Sequence, residues 1–305
     1  MTDLLEPTVD FVFKQVFGSE DNKDEVLLNF LNEVLRETEP KPFVSLTLLN
    51  PQMDKDALTD KQPILDVRAQ NEDGKQVNLE IQVTNKYNMP KRSLYYSAKM
   101  YEEQLSEGQM YKDLKKVISI NILTFNQVPN ERFHNTYHLR EDHTGELLVD
   151  DIEIHFMELP KLGLRINKMD DRLVKWLMFI NGAPKDRWEE LAMDTPGLKK
   201  AMTTLEFLSQ NKEARMLYEM RKKALLDERS ALDYAETRGR EEGKLEGKLD
   251  GDAYCGSNRL VRSGDRDVER ADSLEYTLPM SGREDQSGGS GLFLICLNSS
   301  PYESG

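Results

Sequence analysis

The chain has 305 residues, 38% hydrophobic and 31% charged, which suits one large soluble domain or two small ones and excludes a wholly disordered polymer. Its formal net charge of −14 sets a uniformly acidic surface against nucleic acid, so any such binding needs a local basic patch. Both cysteines, Cys255 and Cys296, fall near the C-terminus, which excludes a disulfide framework or zinc-knuckle spacing, and no apolar run is long enough to cross a bilayer.

No early segment reads as a signal peptide, so the expected location is cytoplasmic. Thr8 to Phe17 puts Val9, Val12, Phe13, Val16 and Phe17 on one helical stripe, with Asp10 and Lys14 together on another side. Gly18 and Ser19 break this helix. Asp24 to Arg36 resumes it with Val26, Leu27, Phe30, Leu31, Val34 and Leu35 inward, until Pro40 and Pro42. Phe43 to Leu49 is strand-like, and the polar run Asn50 to Gln62 reads as a loop.

Pro63 to Thr84 holds two alternating runs around Asn71-Glu72-Asp73-Gly74, the pattern of a hairpin. A three-residue loop with Gly74 at positive φ pairs Asn71 with Lys75 and sets Asp66 opposite Glu80. One face then carries Asp66, Arg68, Asn78, Glu80 and Gln82. The other carries Leu65, Val67, Ala69, Leu79, Ile81 and Val83, a core face. Two carboxylates about 4 Å apart repel by about 4 kcal/mol at a surface-like dielectric. A hard divalent cation is one way to offset that. A solvated outer face, or neutralisation by Arg68, is the plainer reading of the alternation alone.

Met89-Pro90 opens a third helix, roughly Lys91 to Glu107. Leu94, Ala98, Tyr101 and Leu105 share one face, and Arg92, Tyr96, Lys99 and Glu103 another. Val117 to Phe125 reads as a buried strand. Phe133 to Leu139 and Ile152 to Met157 are two more. His134, His138, His143 and His155 lie in this region without a spaced carboxylate partner and are assigned no role. Lys168 to Ile180 and the stretch around Trp188 are helical, with Trp176 and Trp188 as core anchors. Pro196 to Ala235 reads as one long charged helix whose imperfect heptads offer self-association. From Gly239 to Gly251 glycine recurs every fourth residue, which weakens a helix to a conditional one. After Asp252 the composition is linker-like up to the apolar Leu292–Leu297. The abrupt change looks like translation in another reading frame, which sequencing of the coding DNA tests.

Helix, three strands, helix, strand is the core order of the PD-(D/E)XK nucleases. Asp10-Phe11-Val12-Phe13-Lys14 with Val16-Phe17-Gly18, Ile64-Leu65-Asp66-Val67-Arg68-Ala69, Asn78-Leu79-Glu80-Ile81-Gln82, and Arg92-Ser93-Leu94-Tyr95-Tyr96 with Gln104-Leu105 and Gly108 together resemble the Rpn family. These are bacterial recombination-promoting nucleases, also described as transposases of the PD-(D/E)XK type. The resemblance is dense over residues 4–160, looser through the glycine repeat, and absent beyond about residue 251. It implies an α/β PD-(D/E)XK restriction-endonuclease-like core (αβββαβ) with a helical C-terminal extension. The expected organisation is a nuclease-like domain at 1–160, a helical extension at 161–236, the charged glycine repeat at 237–251 and a disordered aberrant tail at 252–305.

The resemblance also implies site roles. Asp66 and Glu80 would bind Mg2+, with Mn2+ able to substitute, and the Ile81 carbonyl is a further ligand candidate. Gln82 stands where most of the superfamily has lysine, and Asp10 matches the first-helix acid. Lys14, Lys61 and Lys99 are candidate sources of the missing cation. The catalytic set is therefore Asp66, Glu80, Gln82, Asp10 and Lys14. Residues 85–117 hold seven basic against four acidic side chains, which suits phosphate contacts by Lys91, Arg92 and Lys99. The implied function is a Mg2+-dependent DNA endonuclease of recombination or transposase-like type, hydrolysing phosphodiester bonds through an activated water. The alternative is a catalytically degenerate DNA-binding or self-association module on the same fold. DNA is the expected partner, together with a second copy through the C-terminal helical region; no membrane is expected.

Overall fold

Apolar residues at spacings of three and four force a helix to bury one stripe. In α1 (Asp10–Phe17) that stripe is Val12, Phe13, Val16 and Phe17, all buried. The computed structural model of the protein describes residues 3–50, 66–85, 88–165 and 171–260, with 164–165 and 246–260 as backbone only. The expected loop at 51–62, Lys61, Leu65 and the stretch after residue 260 lie outside the described residues. Gly18 closes α1: its N–H bonds the Lys14 carbonyl at 2.8 Å. A Cβ there would meet that oxygen at 2.9 Å and Val67 Cγ2 at 3.1 Å, so glycine lets the helix end press against the hairpin. A π-turn over Lys23–Leu27 then leads into α2 (Leu28–Val34).

The sheet has six strands in the order β1 (Leu46–Leu48), β2 (Val67–Asn71), β3 (Gln76–Gln82), β4 (Val117–Leu123), β6 (Ile152–Glu158) and β5 (His134–His138). The β1–β2–β3 pairs are antiparallel, β3, β4 and β6 run parallel, and β5 returns antiparallel to β6. The hairpin has the expected register. Val67 pairs with Leu79 and Arg68 with Asn78, Asn71 N–H donates to the Lys75 carbonyl at 3.0 Å, and Gly74 has φ +85°. The Asn71 side-chain oxygen accepts from Asp73 and Lys75 N–H and holds the turn.

One face of the sheet carries the main core. Val67, Ala69, Leu79, Ile81 and Ile120 pack with α1, α2, α4 (Arg172–Ile180), α5 (Trp188–Ala192) and α6 (Pro196–Gln210). The rings of Phe17, Phe30 and Trp176 lie 5.3–5.8 Å apart at its centre. The other face is covered by α3 (Met89–Glu102), and here the structure corrects the expectation. Ser93, Ser97, Lys99 and Met100 are buried, while Leu94 is 50% exposed and Ala98 is exposed too. The sheet surface beneath α3 presents Arg68, Asn78, Glu80, Ser119 and Asn121, all buried. A helix that covers polar side chains must bring hydrogen-bonding partners, and Ser93 Oγ donates to Asn121 Oδ1 at 2.9 Å. The polar hairpin face is therefore not solvated; it is roofed.

The long C-terminal helix is two helices. Asn211, at φ −79° and ψ 125°, ends α6, and its side chain accepts from Ala214 N–H at 3.0 Å to cap α7 (Lys212–Leu260). The glycine repeat lies within α7. A compact unit extends from Met1 to Glu242. Among the described residues no helix is long and apolar enough to cross a membrane.

Candidate active site

Three elements meet at the end of the hairpin away from its turn. Asp66, just before β2, accepts from Ile81 N–H at 2.9 Å through Oδ2. Its Oδ1 lies 3.2 Å from Lys14 Nζ on α1. Both contacts follow from the register that sets residue 66 beside residue 80 and from the docking of α1 on β2. Glu80 sits within β3 with its side chain 3% exposed. Its Oε2 is 3.7 Å from Arg92 Nη2 on α3. Its Oε1 is buried with no hydrogen-bond partner. Gln82 ends β3, and its Oε1 accepts from Arg92 Nη1 at 3.2 Å. Asp10 faces the same region, with Oδ1 buried and unpartnered and Oδ2 3.9 Å from Arg221 on α7.

The electrostatics reflect this crowding. Burial pushes the Glu80 carboxyl up to about 7; Arg92 pulls it back and Asp66 pushes it further up. Burial also raises Asp66, against the Ile81 N–H bond and Lys14 and with help from Asp10. Carboxyls held out of water with orphan oxygens need a proton or a counter-ion. All the donors here are oxygens, the set that a hard divalent cation takes. The carboxylates present fit such an ion by their chemistry.

The remaining predicted residues are placed less uniformly. Lys91 is exposed at the start of α3. Arg92 turns toward Glu80 and Gln82 and lies 5.2 Å from the Tyr96 ring centre. Lys99 is 6% exposed, so the expected phosphate contact there is corrected: the lysine is roofed by its own helix. Arg68 pairs with Glu103 at 3.1 Å and does not neutralise the acid pair. The Ile81 side chain is in the core.

Two arrangements escaped sequence reasoning. The first is Arg92 with Gln82 and Glu80, which no spacing signals because the partners sit on different elements. The second is a polar cluster on the sheet face opposite α3. Glu153 bonds His155 at 2.5 Å, His138 at 3.1 Å and Lys116 at 2.6 Å, and His155 bonds His134 at 2.8 Å. His138, Asp150 and Glu153 have the closeness of metal ligands. Lys116 Nζ, 2.9 Å from Asp150 and 3.1 Å from Glu39, already supplies a cation there. Two of the histidines thus do have a carboxylate partner, His138 across strands and His155 two residues along β6.

A mixed sheet entered by an antiparallel hairpin with opposed acids, and covered by helices on both faces, defines a nuclease-type protein of the PD-(D/E)XK class. The family model described as PD-(D/E)XK nuclease family transposase matches residues 7–235, and the chain belongs to that family. Neither the curated proteins nor the solved structures give a match. The Rpn resemblance and the expected fold class agree with this membership.

Proposed function

We propose that the protein is a Mg2+-dependent DNA endonuclease that hydrolyses phosphodiester bonds at the Asp66–Glu80 site. The observation that carries the reading is the acid pair at the hairpin end, Asp66 half-buried and Glu80 buried with an orphan Oε1. Asp66, Glu80 and the Ile81 carbonyl would hold the ion. Bound there, a divalent ion offsets charge on the phosphate and makes a water acidic enough to attack. Lys14 balances the Asp66 charge from α1. Asp10 contributes a further oxygen, and Gln82, with its amide orientation set by Arg92, offers a hydrogen bond to a water. Exposed Lys91 contacts the DNA backbone beside the acids. Self-association runs through α7, where Met216, Leu217 and Met220 are exposed side by side.

Nicking of supercoiled plasmid in Mg2+ or Mn2+ tests the reading. Asp66→Ala and Glu80→Ala should each lose at least about 100-fold in rate, the scale of removing a preorganised charge-handling group. Equal rates for all three proteins remove the pair from the mechanism. A second reading, a DNA-binding or self-associating module without catalysis, is favoured by the Lys14–Asp66 ion pair, which satisfies Asp66 without a metal. Calorimetry with Mn2+ separates the two: the module predicts no binding that depends on Asp66.

A further inference from the structure

We infer that Arg92 is the catalytic residue supplying the positive charge that Gln82 lacks, and this rests on the nuclease reading above. In phosphodiester hydrolysis a water oxygen bonds to phosphorus while a deoxyribose oxygen departs with the bonding pair. The attacking water gives its proton to solvent and the departing oxygen takes one from solvent. Negative charge builds on the phosphoryl oxygens between those events, and a fixed cation beside them lowers the barrier. Gln82 stands at the third-strand position beyond the acids and is neutral, so the charge must come from another element.

Arg92 meets that need by geometry. The first turn of α3 brings its guanidinium against Gln82 Oε1 at 3.2 Å and 3.7 Å from Glu80 Oε2, so it bridges the last residue of β3 and the acid before it. The Tyr96 ring 5.2 Å away on the same helix supports the guanidinium plane. Its Nε has no hydrogen-bond partner. A guanidinium has five N–H donors in a rigid fork, so one group can hold Gln82 and still meet a phosphoryl oxygen. Among the described residues, the other candidate cations are worse placed. Lys14 is committed to Asp66 at 3.2 Å, and Lys99 is buried beneath α3. Arg92 moves no proton and forms no bond; it takes the place of a lysine on the strand with an arginine on the facing helix.

The test uses the full chain with Arg92→Lys, Arg92→Met and Arg92→Ala, and with Asp66→Ala as control. Plasmid-nicking kcat and KM, Mn2+ affinity by calorimetry and melting temperature are measured for each. Arg92→Met should lower kcat by about 100-fold, as for loss of one charge-stabilising donor, with KM within about threefold and Mn2+ affinity not weakened. Arg92→Lys should recover part of kcat. Added guanidinium ion should restore Arg92→Ala and leave Asp66→Ala inactive, a rescue that a structural role does not produce. The inference is overturned if Arg92→Met retains full kcat, if only KM changes, or if guanidinium rescues neither kcat nor a melting loss. If the wild type nicks and Asp66→Ala does not, failure at Arg92 leaves the nuclease reading standing. If the wild type never nicks, both fall.

Discussion

Glu80 is the residue at which packing and chemistry are in tension. Its carboxyl rises from 4.5 in a solvated chain to about 7 in the fold, mainly through burial. The folded protein therefore holds the Glu80 proton more tightly than the unfolded chain does. The resulting stability is fully present below pH 4.5 and is lost as pH rises through about 7. The difference amounts to about 3 kcal/mol across that window. Urea denaturation without divalent ions should show lower stability at pH 8 than at pH 5, and Glu80→Gln should flatten the slope. The idea fails if the slope survives in Glu80→Gln. Asp66, also raised, adds in the same direction. At pH 8 millimolar Mg2+ should raise the midpoint of the wild type and not of Asp66→Ala. The opposition of Asp66 and Glu80 was legible because a glycine turn and a count of residues determine a hairpin's register. Arg92 was legible only as a charge. Its partners depend on which way α3 is rolled, and the sequence pattern of that helix points the wrong way.

At the scale of elements, α1 and the hairpin follow simple rules and α3 does not. Periodicity finds the inward face of a helix when the surface beneath it is apolar. Beneath α3 the sheet is polar, so serines turn in and Leu94 turns out. Ser93→Leu should destabilise by about 1–3 kcal/mol through overpacking and loss of the Asn121 hydrogen bond. Leu94→Ser should stay within about 0.5 kcal/mol, as for surface changes. Thermal melts of the two variants check this, and a reversed order would mean that α3 is rolled the other way. The start of α6 is as tight. A Cβ on Gly197 would lie 2.4 Å from the Glu25 carbonyl and 2.7 Å from Asn29 Cβ. Gly197→Ala should therefore lower the melting temperature, although alanine is the better helix former. The break at Asn211 was hidden because an asparagine inside a charged run does not announce whether it continues a helix or caps the next one.

For the whole molecule, the helices after residue 195 divide into a part the core needs and a part it does not. Leu198, Ala201, Met202 and Leu205 of α6 are in the main core, whereas α7 from Glu219 to Leu245 is mostly exposed. Deleting residues 196–250 would thus remove core as well as a self-association helix. A cleaner probe is Met216→Lys with Met220→Lys in the full chain. The pair should lower the sedimenting mass at high concentration without changing the nicking rate; an unchanged mass would rule out self-association through that patch. α6 also reaches back to the beginning of the chain: Ser209 Oγ accepts from Leu5 N–H at 3.0 Å, and Thr204 Oγ1 donates to Asn22 Oδ1 at 3.3 Å. On a ribosome adding about 5–20 residues per second, Phe13 and Phe17 emerge roughly ten to forty seconds before the helix that seals them. The hairpin acids are synthesised within about one to three seconds of each other, well before that seal closes. A nascent chain therefore carries the acids without their assembled surroundings, and its sticky first helix is a natural client for chaperones.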